Sequence, residues 1–312
     1  MTNKLAGKVA VITGASTGIG LAAAKRFIRD GMDRVFITGR RKDALEAAVA
    51  EIGEKATGIP GDVASLTDVD RLYEAVKRYG RKLDVIFANA GVAQLALFGT
   101  VDEKFFDLHF DANVKGLFFS VQKGLPFMDD GGSIILTASI ASIKGFPGMS
   151  VYSATKAAVR SFARTWTNEL RERRIRVNAI SPGHIDTPIM ESLQQGEALA
   201  EMKDGFRKAV PLGRMGDPDE IAKAVAVPRL RRGELCLRHR ALRRRWCRPN
   251  LKWTFNVLAV LAEPRTSSNF SAVWKVLRAP SNRKSTWPAE MNRVIGIADQ
   301  AAISIGIIGW RG

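Results

Sequence analysis

The stretch Thr13-Gly14-Ala15-Ser16-Thr17-Gly18-Ile19-Gly20 decides the fold. It follows the short apolar run Val9–Thr13 and leads into Gly20–Asp30, which has helical spacing. Glycines in such a turn permit close backbone approach, so that free N–H groups at the helix N-terminus can hold a pyrophosphate. Three glycines in a loop often mean only a turn, but this position between strand and helix predicts dinucleotide binding.

The alternation of short apolar runs with longer periodic segments continues to about residue 226. Further buried strands are predicted at Val35–Thr38, Val85–Ala88, Ile134–Ala138 and Val177–Ile180. Further helices are predicted at Lys42–Ile52, Ser65–Tyr79, Glu103–Leu125 and Tyr152–Arg173. The pattern predicts an α/β fold, a doubly wound parallel sheet with helices on both faces and ligands at the carboxyl ends of its strands.

A tyrosine and a lysine share one face of a predicted helix, in Tyr152-Ser153-Ala154-Thr155-Lys156. A nearby ammonium lowers the pKa of a phenol from about 10, which would make Tyr152 a usable general acid/base. The pair alone could be an ordinary amphipathic face. The preceding strand, however, ends in Ser139, which supplies a hydroxyl at a strand's carboxyl end.

Several motifs occur in an order that resembles the short-chain dehydrogenase/reductase family. From Lys8 to about Ala226 they are TGASTGIG, ANAG, Asn113 in DANVKG, Ser139, YSATK and SPGHIDTP. The resemblance implies a Rossmann domain over residues 1–226 that binds the dinucleotide and carries the catalytic residues. It also implies an NAD(P)-dependent oxidoreductase that transfers hydride between nicotinamide and a carbonyl or secondary alcohol, as 3-oxoacyl reductases and glucose dehydrogenases do.

The same resemblance assigns roles to individual residues. Tyr152 would exchange a proton with the substrate oxygen, Ser139 would orient that oxygen, and Asn113 would hold a proton-relay water. Lys156 would lower the pKa of Tyr152 and bind the nicotinamide ribose. No metal is implied, because hydride comes from the cofactor and the proton from Tyr152. With Tyr152 and Lys156, the expected cofactor-binding residues are Gly14, Ser16, Thr17, Gly18, Ile19, Gly20, Asp62, Val63, Asn89, Ala90, Gly91, Pro182, Gly183, Ile185 and Thr187.

The end of the second predicted strand bears on the choice of cofactor. An acidic residue there would bind the ribose 2′-hydroxyl and repel a 2′-phosphate. The sequence instead has Arg40 and Arg41, and a guanidinium can bind a phosphate bidentately. We therefore favour NADP(H), with NAD(H) as the alternative. A further departure from the family is His184, at a position where a small residue or proline is usual. The alternatives are a substrate contact and a solvent-facing loop residue, of which we favour the second.

Composition changes abruptly after Ala226. Residues 1–226 carry a net charge of +4 and residues 227–312 one of +13, and the second stretch holds both cysteines and five of the six tryptophans. The Arg-rich start of this tail is typical of coding DNA read in a wrong frame. Permitted codons for residues 227–250, read one base later, can give the Val-Asp-Gly-Gly ending usual in the family. We interpret the tail as a frameshift product, which sequencing the gene around the Ala226 codon would test.

The frameshift hypothesis has consequences for stability and assembly. The expected final edge strand would be missing and the tail poorly ordered, so a homodimer or homotetramer, usual for the intact family, is in doubt. Two alternatives to an active enzyme follow. One is a catalytically impaired dinucleotide-binding remnant, and the other is a nonspecific nucleic-acid binder through Arg243-Arg244-Arg245. The lack of a signal peptide or membrane-length apolar run favours a cytoplasmic protein that acts on a small molecule.

Overall fold

The computed structural model describes residues 4–226. Six parallel strands form one sheet in the order β3-β2-β1-β4-β5-β6. The strands are β1 Val9–Thr13, β2 Arg34–Gly39, β3 Ala56–Pro60, β4 Leu83–Ala88, β5 Met128–Thr137 and β6 Arg176–Ile180. The helices are α1 Gly18–Arg29, α2 Lys42–Ile52, α3 Leu66–Tyr79, α4 Glu103–Phe110, α5 Leu117–Gln122, α6 Ser150–Glu169, α7 Gly196–Ala209 and α8 Pro218–Val225.

Both faces of the sheet are covered by helices, which is the doubly wound arrangement that the sequence predicts. Successive side chains of β1 point to opposite faces, so Ala10 and Ile12 pack on one side with α1, α2 and α8. Val9 and Val11 pack on the other side with α3, α5 and α6. Since β1 is buried on both faces, its sequence Val-Ala-Val-Ile-Thr is almost continuously apolar instead of alternating. None of the described helices is long and apolar enough to cross a membrane.

The sequence analysis missed one strand, β3. Its sequence Ala-Thr-Gly-Ile-Pro contains a glycine and a proline, which both argue against a strand. The structure shows why both are tolerated. Gly58 lies under α2, where an added Cβ would come within 2.8 Å of Val49 Cγ2, and Pro60 is the last residue of an edge strand.

The predicted helix Glu103–Leu125 is interrupted by a π-helical segment, Asp111–Gly116, between α4 and α5. At its end an added Cβ on Gly116 would lie 2.7 Å from Val63 O, so the helix passes directly against the loop after β3. Interruptions of this kind often occur at functional sites. Here the π segment contains Asn113, whose side chain is fully buried.

The described part of the chain ends at α8, which packs on α1. Ile221, Ala222 and Val225 belong to the same buried cluster as the apolar face of α1. The N-terminus of α8 is fixed by a capping box between Asp217 and Glu220. The strand expected after α8, and the tail interpreted as a frameshift product, lie outside the described residues.

Candidate active site

A cleft of about 1220 Å³ opens along the carboxyl ends of the strands. It lies where the connections after β1 and β4 pass to opposite faces of the sheet, the usual ligand position in such folds. Every site residue expected from the sequence lines this cleft except Gly20 and Asn113. The structure therefore brings together residues from segments that are far apart in the chain.

The glycine turn between β1 and α1 forms one end of the cleft. Gly14 has φ +64, and an added Cβ there would lie 2.6 Å from Ala90 Cα, so the turn and the loop after β4 touch through backbone. The N-cap residue of α1, Thr17, makes no side-chain capping bond, and the first turn contains no acidic residue. The first turn of α1, where Gly18 and Ile19 line the cleft, therefore carries neither a capping side chain nor a carboxylate that would compete with an anion.

Gly20 lies behind the turn and not in the cleft. An added Cβ there would meet Gly14 O at 2.3 Å and Asn89 Nδ2 at 2.8 Å. The Asn89 amide in turn donates to Gly14 O at 3.0 Å. Gly20 thus allows α1 to approach the loop after β4, and it shapes the turn from behind.

Ser139, Tyr152 and Lys156 line the part of the cleft beside the ends of β5 and β6. Ser139 follows β5 in extended conformation, and its Oγ accepts a hydrogen bond from Ala141 N at 3.1 Å. Tyr152 and Lys156 lie one turn apart on α6, and Lys156 Nζ is 5.7 Å from the centre of the Tyr152 ring. Two titratable groups and a hydroxyl therefore meet at one place.

Burial controls the titration of the two groups. It raises the pKa of Tyr152, an effect that a hydrogen bond with Ser139 opposes. It lowers the pKa of Lys156 to about 8. The Lys156 ammonium donates a hydrogen bond from Nζ to Thr137 O at 2.9 Å. The lowered Tyr152 pKa expected from the sequence is thus not found, because the loss of solvent around the phenol outweighs its hydrogen bond with Ser139.

Asn113 lies under the cleft and holds the loop that follows β4. Its Oδ1 accepts from Val92 N at 2.8 Å, and its Nδ2 donates to Val92 O at 2.9 Å and to Thr155 Oγ1 at 3.2 Å. An added Cβ on Gly91 would lie 2.8 Å from Asn113 Oδ1 and 3.3 Å from Lys156 Nζ. Asn113 therefore connects this loop to the helix that carries Tyr152 and Lys156.

Two supporting residues were not found from the sequence. Thr13, the last residue of β1, accepts at Oγ1 from the backbone N–H groups of Asn89 and Ala90, each at 3.0 Å. His109, fully buried on α4, accepts at Nε2 from Gln94 N at 3.1 Å. Its position four residues before Asn113 was the available signal, but a lone buried histidine has no sequence pattern of its own.

His184 is not the solvent-facing loop residue that the sequence suggested. It is partly buried and lines the cleft. Its ring stacks on Phe206 of α7, with centroids 4.0 Å apart and an angle of 18° between the planes. The sequence could not indicate this contact because the two residues belong to separate elements.

Comparisons with known proteins agree with this architecture. The family model of the short chain dehydrogenases matches residues 8–198. An oxidoreductase of Sarocladium schorii is 46% identical over 226 residues, which are 72% of this chain and 88% of that protein. A 3-oxoacyl-[acyl-carrier-protein] reductase of Thermotoga maritima is 37% identical over 232 residues, which are 71% of this chain and 90% of that protein.

A solved structure gives the same result. The 3-ketoacyl-(acyl-carrier-protein) reductase of Brucella melitensis complexed with NADH superposes with a TM-score of 0.65 at 33% identity, over 71% of this chain and 90% of that one. The family model spans more than half of this chain, and the relatives match nearly their full length. This chain is therefore a member of the short-chain dehydrogenase/reductase family, with the Rossmann fold and the NAD(P)-dependent oxidoreductase activity that define it.

Proposed function

We propose that this enzyme interconverts a carbonyl and a secondary alcohol, with Tyr152 as the general acid/base. The observation that carries the proposal is that Ser139, Tyr152 and Lys156 line the same cleft as the glycine turn. A dinucleotide held by the turn would extend toward these three residues. When bound, it supplies or accepts the hydride.

The residues around the turn fit a dinucleotide. Gly14 and Gly18 have positive φ, and an added Cβ at Gly18 would approach the Thr187 side chain to 3.3 Å, so a side chain at Gly18 would be both strained and tightly packed. The uncapped N-terminus of α1 suits a pyrophosphate. Thr187 and Ile185, which we assign to the nicotinamide amide, line the cleft after β6.

The burial of Tyr152 favours a role as proton donor in the reduction direction. With its pKa raised, the phenol keeps its proton at neutral pH and can give it to a substrate oxygen that develops negative charge. The Lys156 ammonium, 5.7 Å from the ring centre, stabilises the phenolate as it forms. Ser139 would hold the substrate oxygen beside Tyr152.

Lys156 should cost stability while it serves catalysis. A lysine with a pKa of about 8 in the folded state, against about 10.4 when unfolded, destabilises the protein by about 3 kcal/mol below pH 8. We expect Lys156→Met to melt several degrees above the wild type at pH 7, even after losing the bond to Thr137 O. Between pH 8 and 10 the unfolded state holds the extra proton, so wild-type stability rises with pH and the advantage of the variant shrinks.

Thermal melting without cofactor, from pH 7 to 10, measures this difference. Lys123→Met is the matched control, since Lys123 is a surface lysine that pairs with Asp70. If Lys156→Met melts below the wild type at pH 7 while Lys123→Met melts like the wild type, the buried ammonium does not destabilise the folded protein.

We propose that the enzyme prefers NADP(H). Arg40 and Arg41 both line the cleft after β2, and both are exposed. The carboxylate nearest to Arg40 is Asp62, at 3.9 Å, a separation that leaves the guanidinium able to bind a phosphate. A 2′-phosphate at this edge would gain a charge-assisted contact from either arginine.

Replacing the arginines should change the cofactor preference. We expect the double variant Arg40→Ala, Arg41→Ala to lower the ratio of kcat/KM for NADPH to that for NADH by tenfold or more, since one charge-assisted hydrogen bond contributes about 1.5–3 kcal/mol. Lys42→Ala is the control: this neighbouring lysine is exposed, near Glu46, and does not line the cleft. An unchanged ratio, or a wild type that prefers NADH, would refute the preference.

A carbonyl panel assayed with both reduced cofactors tests the proposed reaction. Turnover of at least one ketone by the full chain supports it. Cofactor binding by titration without any turnover would identify the chain as a dinucleotide-binding remnant instead. The nucleic-acid alternative depends on the basic tail, which lies outside the described residues, and a steeply salt-dependent DNA affinity would be its signature.

We also propose that residues 227–312 come from a shifted reading frame and that self-association is weakened as a result. The support is the abrupt change of composition, together with relatives that align over 226 to 232 residues of this chain's 312. An intact frame in the native gene would refute the proposal.

A further inference from the structure

The cleft extends past Ser139 and Tyr152 to three aromatic side chains that the proposed reaction does not use. Phe146, His184 and Phe206 all line it. They come from three different segments: the loop between β5 and α6, the loop after β6, and α7. We call these three residues the aromatic wall.

The rings of the aromatic wall contact one another in defined geometry. His184 stacks on Phe206 at 4.0 Å, and the ring of Phe146 stands nearly perpendicular to the imidazole, 6.5 Å away with an angle of 73°. Both stacked and edge-to-face arrangements are favourable for aromatic rings. The three rings therefore form one contiguous aromatic surface that lines the cleft.

The backbone holds His184 in place. Its carbonyl accepts from Gly216 N at 2.8 Å, and Asp186 N donates to Gly216 O at 2.9 Å. Asp186 also forms an ion pair at 2.8 Å with Lys203 of α7, the helix that carries Phe206. Both stacked rings thus belong to segments tied to each other, and a flat ligand would meet a preorganised surface.

The charges around this half of the cleft disfavour a negatively charged ligand. Among the described residues, the only cationic side chains that line the cleft are Arg40, Arg41 and Lys156, which lie on the dinucleotide side or beside Tyr152. The charged groups lining the cleft near α7 are Glu191 and Glu201. Burial, with Lys144 nearby, lowers the pKa of His184, so its imidazole is neutral at neutral pH.

This inference rests on the proposed carbonyl reduction. We propose that the substrate is an uncharged, planar aromatic ketone whose ring lies against the aromatic wall. His184 is then a specificity-determining residue. The ketone oxygen reaches Ser139 and Tyr152 while the aromatic ring extends toward His184. A neutral imidazole can also donate or accept one hydrogen bond to a ring substituent. A carboxylate on the far side of the ring would meet Glu191 and Glu201 and be rejected.

Three related methyl ketones test this proposal on the full chain. Acetophenone is planar and aromatic, cyclohexyl methyl ketone is its saturated counterpart, and 4-acetylbenzoate adds a carboxylate. We expect the wild type to use acetophenone best by kcat/KM. We expect His184→Ala to lower the preference for acetophenone over the saturated ketone about threefold to tenfold, mainly through KM, and His184→Phe to restore it.

Several outcomes would overturn the proposal while leaving the reaction intact. They are an equal effect of His184→Ala on both neutral ketones, failure of His184→Phe to restore the preference, or better use of 4-acetylbenzoate. Binding of 1-phenylethanol against 1-cyclohexylethanol, measured by saturation-transfer NMR, provides a readout that needs no turnover. If no ketone is reduced but 1-phenylethanol binds selectively and loses affinity in His184→Ala, the aromatic site stands and the proposed reaction fails.

Discussion

Tyr152→Phe should lower kcat for carbonyl reduction about 10²- to 10⁴-fold, the usual contribution of a general acid/base. The variant removes one oxygen atom and leaves the ring that lines the cleft. Lys156 keeps its bond to Thr137 O, so the helix and the dinucleotide side of the cleft stay in place. We therefore expect the dissociation constant for NADPH, measured by fluorescence titration, to change by less than about twofold while turnover is lost.

Tyr79→Phe is the matched control for this variant. It makes the same chemical change on α3, where Tyr79 packs edge-to-face on Phe36 and does not line the cleft. Tyr79→Phe should keep wild-type kcat. If Tyr152→Phe retained activity at a similar level, another group would have to supply the proton, and the assignment of Tyr152 would be wrong.

Gly14→Ala should cause a large loss of both stability and cofactor affinity. A methyl group there would lie 2.6 Å from Ala90 Cα and 3.0 Å from Ala90 N, which are backbone atoms that cannot rotate away. The positive φ of +64 adds strain for any side chain. Overpacking of this kind costs about 1–3 kcal/mol beyond the backbone strain. Moving the turn away from Ala90 should also weaken dinucleotide binding tenfold or more.

Gly7→Ala separates the two effects. Gly7 has a similar φ of +72, but an added Cβ there meets nothing within 4 Å. It should show the backbone strain alone, so Gly14→Ala should melt lower by roughly 2–4 °C for each kcal/mol of clash in a domain of this size. Equal melting temperatures and unchanged NADPH affinity for the two variants would mean that the contact with Ala90 does not shape the site.

Most of the strand order could be predicted from the sequence because β1, β2 and β4 are buried along almost their whole length. Such strands appear as short Val- and Ile-rich runs, and five of the six were predicted on this basis. β3 was missed because its glycine and proline are tolerated only for tertiary reasons: the approach of α2 over Gly58 and the edge position of Pro60. The break at Asp111–Gly116 was missed for the same kind of reason, since it depends on contacts with the loops after β3 and β4.

The features of the candidate site also divide into those that the sequence predicts and those that only the tertiary structure shows. The sequence by itself predicted the glycine turn and the Tyr152–Lys156 pair, because glycine spacing and the interval between those two residues are local properties of a turn and of a helix. The resemblance to the family supplied the other expected site residues. Only the tertiary structure decided that Gly20 and Asn113 act from behind the cleft, that burial raises the pKa of Tyr152, and that His184 stacks on Phe206. These depend on solvent exclusion and on contacts between residues distant in the chain, which no local pattern records.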